Sequence, residues 1–168
     1  MSDPVRAAYA AGLAMLARRE LSEAQIRERL RRKDHEGDAV DAAIERLREA
    51  GAANDRRVAL AAARTEAHVR SRGRAFVLRR LQSFGIASDI AETAVNEVFG
   101  AIDEPALLER VLSRRLRGPG GRVRDPAHFR RLYQQLLRQG FPSSAIVAAL
   151  KARSRRDAVV DEEGLDQD

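Results

Sequence analysis

The chain has 168 residues, 44% of them apolar, but only five Phe, two Tyr and no Trp, so Ala and Leu must carry most of the packing of small helical units. The absence of Cys excludes disulfides and thiolate chemistry, and no stretch approaches the roughly 20 apolar residues of a membrane span. The net charge of +6 understates how basic the body is, because residues 157–168 hold Asp157, Asp161, Glu162, Glu163, Asp166 and Asp168 and no Lys or Arg.

Residues 5–17 form a first helix, apolar but short, interrupted by Arg6 and running into Arg18, Arg19 and Glu20. That is not the plan of a signal peptide, and a cytoplasmic protein is expected. Ser22 with Gln25 reads as a capping box opening a second helix to about Lys33, with Ile26 and Leu30 on one face. After a turn at residues 34–37, Asp38 opens a third helix with Val40, Ala43, Ile44 and Leu47 inward, closed near Gly51. Asn54 caps a long helix to about Ser71, Gly73 breaks it, and helices at 74–84 and 88–99 follow, with Gly85-Ile86 as a Schellman stop between them. A third set runs from Asp103-Glu104-Pro105 to about Arg117, then through a Gly118-Pro119-Gly120-Gly121 loop to a helix opened by Asp125-Pro126 and ended at Gly140. Ser143 caps the last helix, to about Arg153.

Superposing these sets brings Ile26, Val77 and Leu132 into step, then Leu30, Leu81 and Leu136, then the turn residues Asp34, Gly85 and Gly140, and finally Ile44, Val95 and Leu150. An all-α fold of three tandem three-helix repeats is expected, at 1–51, 52–100 and 101–155, forming an elongated, curved array with an acidic, disordered tail at 156–168. On a helical wheel Arg57, Ala61, Arg64, His68 and Arg72 form one stripe, with Val58, Ala62 and Val69 flanking one side and Leu60, Ala63 and Ala67 the other. Glu66 lies on another face, so the stripe is read as poorly neutralised.

The segments Leu13-Ala14-Met15-Leu16-Ala17-Arg18-Arg19-Glu20-Leu21-Ser22-Glu23, Leu30-Arg31-Arg32-Lys33, Ile44-Glu45-Arg46-Leu47, Asn54-Asp55-Arg56-Arg57-Val58-Ala59 and Arg79-Arg80-Leu81-Gln82-Ser83-Phe84-Gly85-Ile86 together resemble the RecX family, regulators of the RecA recombinase, over roughly residues 7–153. The chain departs from the family pattern with Asn54 for an Asp, Val58 for an aromatic, Phe84 for a basic residue and Asp34 for a Gly. The resemblance implies an elongated molecule that lies in the groove of the RecA filament on single-stranded DNA and suppresses strand exchange and ATP hydrolysis. It would thereby modulate recombinational repair and the SOS response, as a monomer without cofactors.

The residues offer no route to catalysis: His35, His68 and His128 lie in different repeats without ligand spacing, and the Gly-rich loop lacks the ending of a phosphate loop. Arg clusters are the functional signal. The candidate contacts with the filament or with single- or double-stranded DNA are Arg31, Arg32, Arg57, Arg64, Arg72, Arg79, Arg80, Arg114, Arg130 and Arg131, whose guanidinium forks suit carboxylates and phosphates. The competing reading is a helix-turn-helix-like DNA binder acting without RecA. Against it, Asp38, Asp41 and Glu45 would repel phosphates from the first repeat's third helix.

Overall fold

The computed structural model describes residues 2–117 and 121–154, which form nine α-helices and one π-helical turn, with no strand among the described residues. Most of the Gly-rich loop, Gly118 to Gly120, and the acidic tail lie outside the described residues. The helices are α1 (Asp3–Leu16), α2 (Glu23–Arg31), α3 (Gly37–Glu49), α4 (Asp55–Arg64), α5 (Arg74–Ser83), α6 (Ser88–Phe99), α7 (Glu104–Arg115), α8 (Pro126–Arg138) and α9 (Ser143–Ser154).

Local chemistry starts most of them. The Ser22 hydroxyl accepts from the Gln25 amide at 3.1 Å while the Ser22 amide donates to Gln25 Oε1 at 3.2 Å, a reciprocal capping box. Asn54, Asp103 and Asp125 each accept an amide three residues on, from Arg57, Ala106 and His128. Two starts differ from expectation. Helix α3 opens at Gly37, one residue before Asp38, with Glu36 at the cap position, and α9 begins with Ser143 itself, whose hydroxyl meets Tyr133 Oη at 2.9 Å.

The long helix expected to reach Ser71 loses α geometry at Arg64 and continues as a π turn, Thr65–Val69. The Thr65 hydroxyl donates back to the Ala61 carbonyl at 3.0 Å, competing with the helix ladder. The turn closes through a 2.9 Å bond from the Arg72 amide to the Glu66 carbonyl, with Ser71 left-handed at φ 54. A π turn holds an extra residue, so the helical wheel fails beyond Arg64. Glu66, expected on another face, turns inward beside Ala67, which is buried as its apolar flank requires, and Val69, expected on the opposite apolar flank, is 76% exposed.

Three turns repeat one hydrogen-bond pattern. At Asp34, Gly85 and Gly140 the chain takes a left-handed φ of 61, 72 and 90. In each, the next residue's amide returns to the carbonyl of the aligned Leu: His35 to Leu30, Ile86 to Leu81 and Phe141 to Leu136, at 3.3–3.4 Å.

Two of these turns seat on the start of a helix one repeat earlier, in the same register. The Ser22 hydroxyl donates to the Phe84 carbonyl, and a methyl on Gly85 would lie 2.4 Å from Ala24 Cβ. One repeat on, the Gly73 amide donates to the Gln139 carbonyl at 2.8 Å, and a methyl on Gly140 would lie 2.2 Å from the Phe76 amide nitrogen. The turn at Asp34 is exposed, and there a side chain replaces Gly.

Chain contacts group the helices into two compact units, Met1–Thr65 with Leu78–Val98, and Glu66–Val77 with the chain from Phe99 onward. In the first, α1 and α2 pack on α3 around Ala8, Leu21, Ile26, Leu30, Val40, Ala43, Ile44, Leu47 and Ala53. Gly12 permits the close approach of α1, since a Cβ there would fall 2.6 Å from Leu47 Cδ1. In the second, α7 and α8 pack on α9 around Leu107, Leu112, Leu132, Leu136, Ile146 and Leu150. Each such aliphatic side chain contributes about 1.5–3 kcal/mol by leaving water.

Candidate interaction surfaces

The stripe read from the wheel is divided and partly neutralised. Arg57 forms a two-pronged pair with Glu20, at 2.8 and 3.2 Å, and also donates to the carbonyls of Gly51 and Ala52 at 3.2 and 2.9 Å. It fastens the start of α4 to the turn after α3. Arg64 reaches Glu97 of α6 at 3.5 Å, and Arg56 reaches the same carboxylate at 3.9 Å. The acids that balance the stripe therefore come from other elements, which no wheel of one helix displays. Arg72 lies beyond the π turn, half-buried, with its guanidinium 4.6 Å from the Phe76 ring centre and its Nε buried without a partner.

The remaining candidate arginines are exposed. Arg32, at the C-cap of α2, pairs with Glu28 of that helix, and Arg31 stands beside it. Arg80 stacks on the Phe84 ring at 4.7 Å, next to Arg79. Arg114 is on α7, and Arg130 and Arg131 are on α8, where Arg130 borders a concavity with Val123, Arg124, Pro126 and Phe129.

Two cationic concavities gather residues that single-helix patterns did not bring together. In the first unit, a groove of about 620 Å³ between the ends of α1 and α2 has a floor of Ala11, Ala14 and Met15 and a rim of Arg18, Arg19, Arg29, Arg32 and Lys33. In the second unit, a cleft of about 610 Å³ is lined by Arg115, Leu116, Arg117, Arg122, Arg124 and His128. Of these residues Arg32 is among the contacts expected from the sequence. The signal for the groove was present as cations placed just past two helix ends, where the helix dipoles favour positive charge.

Electrostatics inside the second cleft are consistent with its cationic lining. Burial pushes the His128 imidazole pKa below its usual value, and the charges of Arg124 and Arg131 push the same way. Its Nδ1 accepts from the Arg124 amide at 3.3 Å. Asp125, which takes the His128 amide as its helix cap, is held below the usual carboxylate range chiefly by that hydrogen bond. Arg153, almost fully buried on α9, pairs with Glu109 and donates to Ser113 Oγ at 2.9 Å and the Gly121 carbonyl at 3.2 Å, fixing the strand of chain that carries Arg122 and Arg124.

No group of three or more His, Cys, Asp or Glu among the described residues is placed to hold a metal ion, and no described helix is long and apolar enough to cross a membrane. What the surfaces offer is recognition of anionic groups through guanidinium forks and, in the groove, contact with apolar side chains.

Residues 8–47 match the family model described as RecX, first three-helix domain. The chain is 32% identical over 142 residues to the regulatory protein RecX of Syntrophotalea carbinolica, covering 83% of this chain and 91% of that protein. It is 29% identical over 149 residues to the regulatory protein RecX of Geobacillus kaustophilus, covering 89% of this chain and 55% of that longer protein. The fold is similar to the crystal structure of RecX from Lactobacillus salivarius, with a TM-score of 0.74 at 21% identity over 90% of this chain and 97% of that one.

Proposed function

This chain belongs to the RecX family of regulatory proteins, and on that premise we propose that it binds the RecA nucleoprotein filament and inhibits its strand-exchange and ATPase activities. In this reading it modulates recombinational repair and the SOS response from the cytoplasm, as a monomer and without catalysis. The observation that carries the reading is likeness to a RecX protein over 91% of that protein's length.

In this reading the repeats at 1–51, 52–100 and 101–155 are the units of construction, and what supports it physically is an all-helical chain that presents exposed arginines on several helices. Arg31, Arg32, Arg79, Arg80, Arg114, Arg130 and Arg131 are proposed contacts with filament carboxylates or DNA phosphates. Arg57, Arg64 and Arg72 serve the reading less directly, because each already has an internal engagement.

The test is RecA ATPase and strand exchange on single-stranded DNA with the chain added at stoichiometric ratio. Inhibition of both supports the proposal, and unchanged rates overturn it. Direct DNA binding that falls steeply with salt, together with unchanged RecA activity, would instead favour a DNA binder acting alone.

A further inference from the structure

We infer that the groove between the ends of α1 and α2 is a docking site for an acidic, amphipathic helical segment of a protein partner. The inference deepens the reading above by naming the chemistry that one surface of the regulator recognises.

The charge around the groove is unbalanced. Arg18, Arg19, Arg29 and Lys33 make no ion pair among the described residues, and Arg32 alone is paired, with Glu28 of its own helix. No carboxylate lies in the lining. Five cations are tolerated together because both helices end here, and the partial negative charge of their last carbonyls offsets the mutual repulsion. Those carbonyls have no net charge, so the site still attracts an anion.

The floor decides the class of anion. Ala11, Ala14 and Met15 present small and pliable apolar surface, and no aromatic side chain lines the groove. Single-stranded nucleic acid is held by stacking bases on aromatic rings, a contact this floor does not provide. An amphipathic helix does match: apolar side chains at helical spacing enter the floor, and carboxylates along its flanks reach the rim. Met is suited to such a floor because its thioether adapts to different apolar partners.

Continuity with the internal junctions gives the same answer. The turns at Gly85 and Gly140 each receive the start of a helix, at Ser22 and Ala24 and at Gly73 and Phe76. The equivalent turn at Asp34 follows directly on Lys33 of the rim, and its side chain is exposed. A partner helix in the groove would likewise lie beside an exposed turn of this kind.

The test uses the full chain and three fluorescein-labelled probes, read by fluorescence anisotropy. One is a twelve-residue helical peptide of alternating Glu-Glu and Leu-Leu pairs, the second replaces its Leu by Ser, and the third is a twelve-nucleotide oligodeoxythymidine. The Leu peptide is expected to bind, at least about fivefold tighter than the Ser peptide, and to lose roughly tenfold or more in a variant combining Arg18→Gln, Arg19→Gln and Arg29→Gln. An unchanged thermal transition in that variant shows that the loss is not unfolding. Equal binding of the two peptides, binding that survives the triple substitution, or a triple-sensitive site that takes the oligonucleotide but not the Leu peptide would each overturn the inference. RecA inhibition measured in parallel separates the two readings: a chain that inhibits RecA without binding the peptide loses only the groove assignment, whereas one that binds the peptide without inhibiting RecA loses only the filament reading.

Discussion

Gly73 and Gly140 meet main chain to main chain: a methyl on Gly73 would lie 2.5 Å from the Gly140 carbonyl carbon, and Gly140 itself holds a φ of 90. Backbone has nowhere to retreat at such a contact, and an L side chain at that φ is strained as well. Gly140→Ala is therefore expected to destabilise the chain by about 3 kcal/mol or more, as a fall in urea midpoint with unchanged slope. A loss below about 1 kcal/mol would mean that the close contact relaxes freely.

Asp34 occupies the equivalent turn, with φ 61 and an exposed side chain. Here the left-handed backbone is strained without any close packing to require Gly. Asp34→Gly is expected to stabilise the chain by about 0.5–1 kcal/mol, opposite in sign to the change at Gly140. Thermal denaturation of the two variants side by side checks the contrast, and destabilisation by Asp34→Gly would sink it.

The Arg57 guanidinium is engaged by Glu20 and by two carbonyls of the α3–α4 turn. Arg57→Ala should cost about 1 kcal/mol of stability through the lost carbonyl bonds, since the exposed ion pair alone contributes little. Measured at a temperature where the variant is fully folded, RecA inhibition should be nearly unchanged. A loss of inhibition with no change in stability would return Arg57 to the contact surface.

His128 has a folded-state pKa depressed first by burial and then by Arg124 and Arg131. As pH falls below about 6.5 the unfolded chain takes up the imidazole proton before the folded chain does. Stability contributed by the neutral ring is thus present above about pH 6.5 and lost as pH falls from there toward the depressed folded value. The depressed pKa of Asp125 acts only lower, below its ordinary 3.8. Denaturant midpoints between about pH 7 and pH 5 should decline in the parent chain and decline less in His128→Gln. Parallel profiles would contradict the assignment.

Much of the helical architecture was legible because it is written in local hydrogen bonds. Ser22, Asn54, Asp103 and Asp125 announce helix starts by accepting the amide three residues on, and Gly85 and Gly140 announce the stops. The π turn was not legible, because Arg64 to Ser71 has no Gly or Pro to mark the lost register. Nor were the acids opposite Arg57 and Arg64, since Glu20 and Glu97 arrive from distant elements. The groove stayed hidden for the same reason: Arg18 and Arg19 meet Arg29 and Lys33 only after α1 and α2 pack together.

The three recurring turns span residues 30–35, 81–86 and 136–141, and the leading Leu is the one side chain common to all three. What these joints share is their main-chain path. A lineage could rewrite nearly every other residue of a joint and keep the joint, provided that Gly stays wherever a neighbour presses close. Side chains that face outward at a joint are thereby free to vary while its main-chain path stays the same.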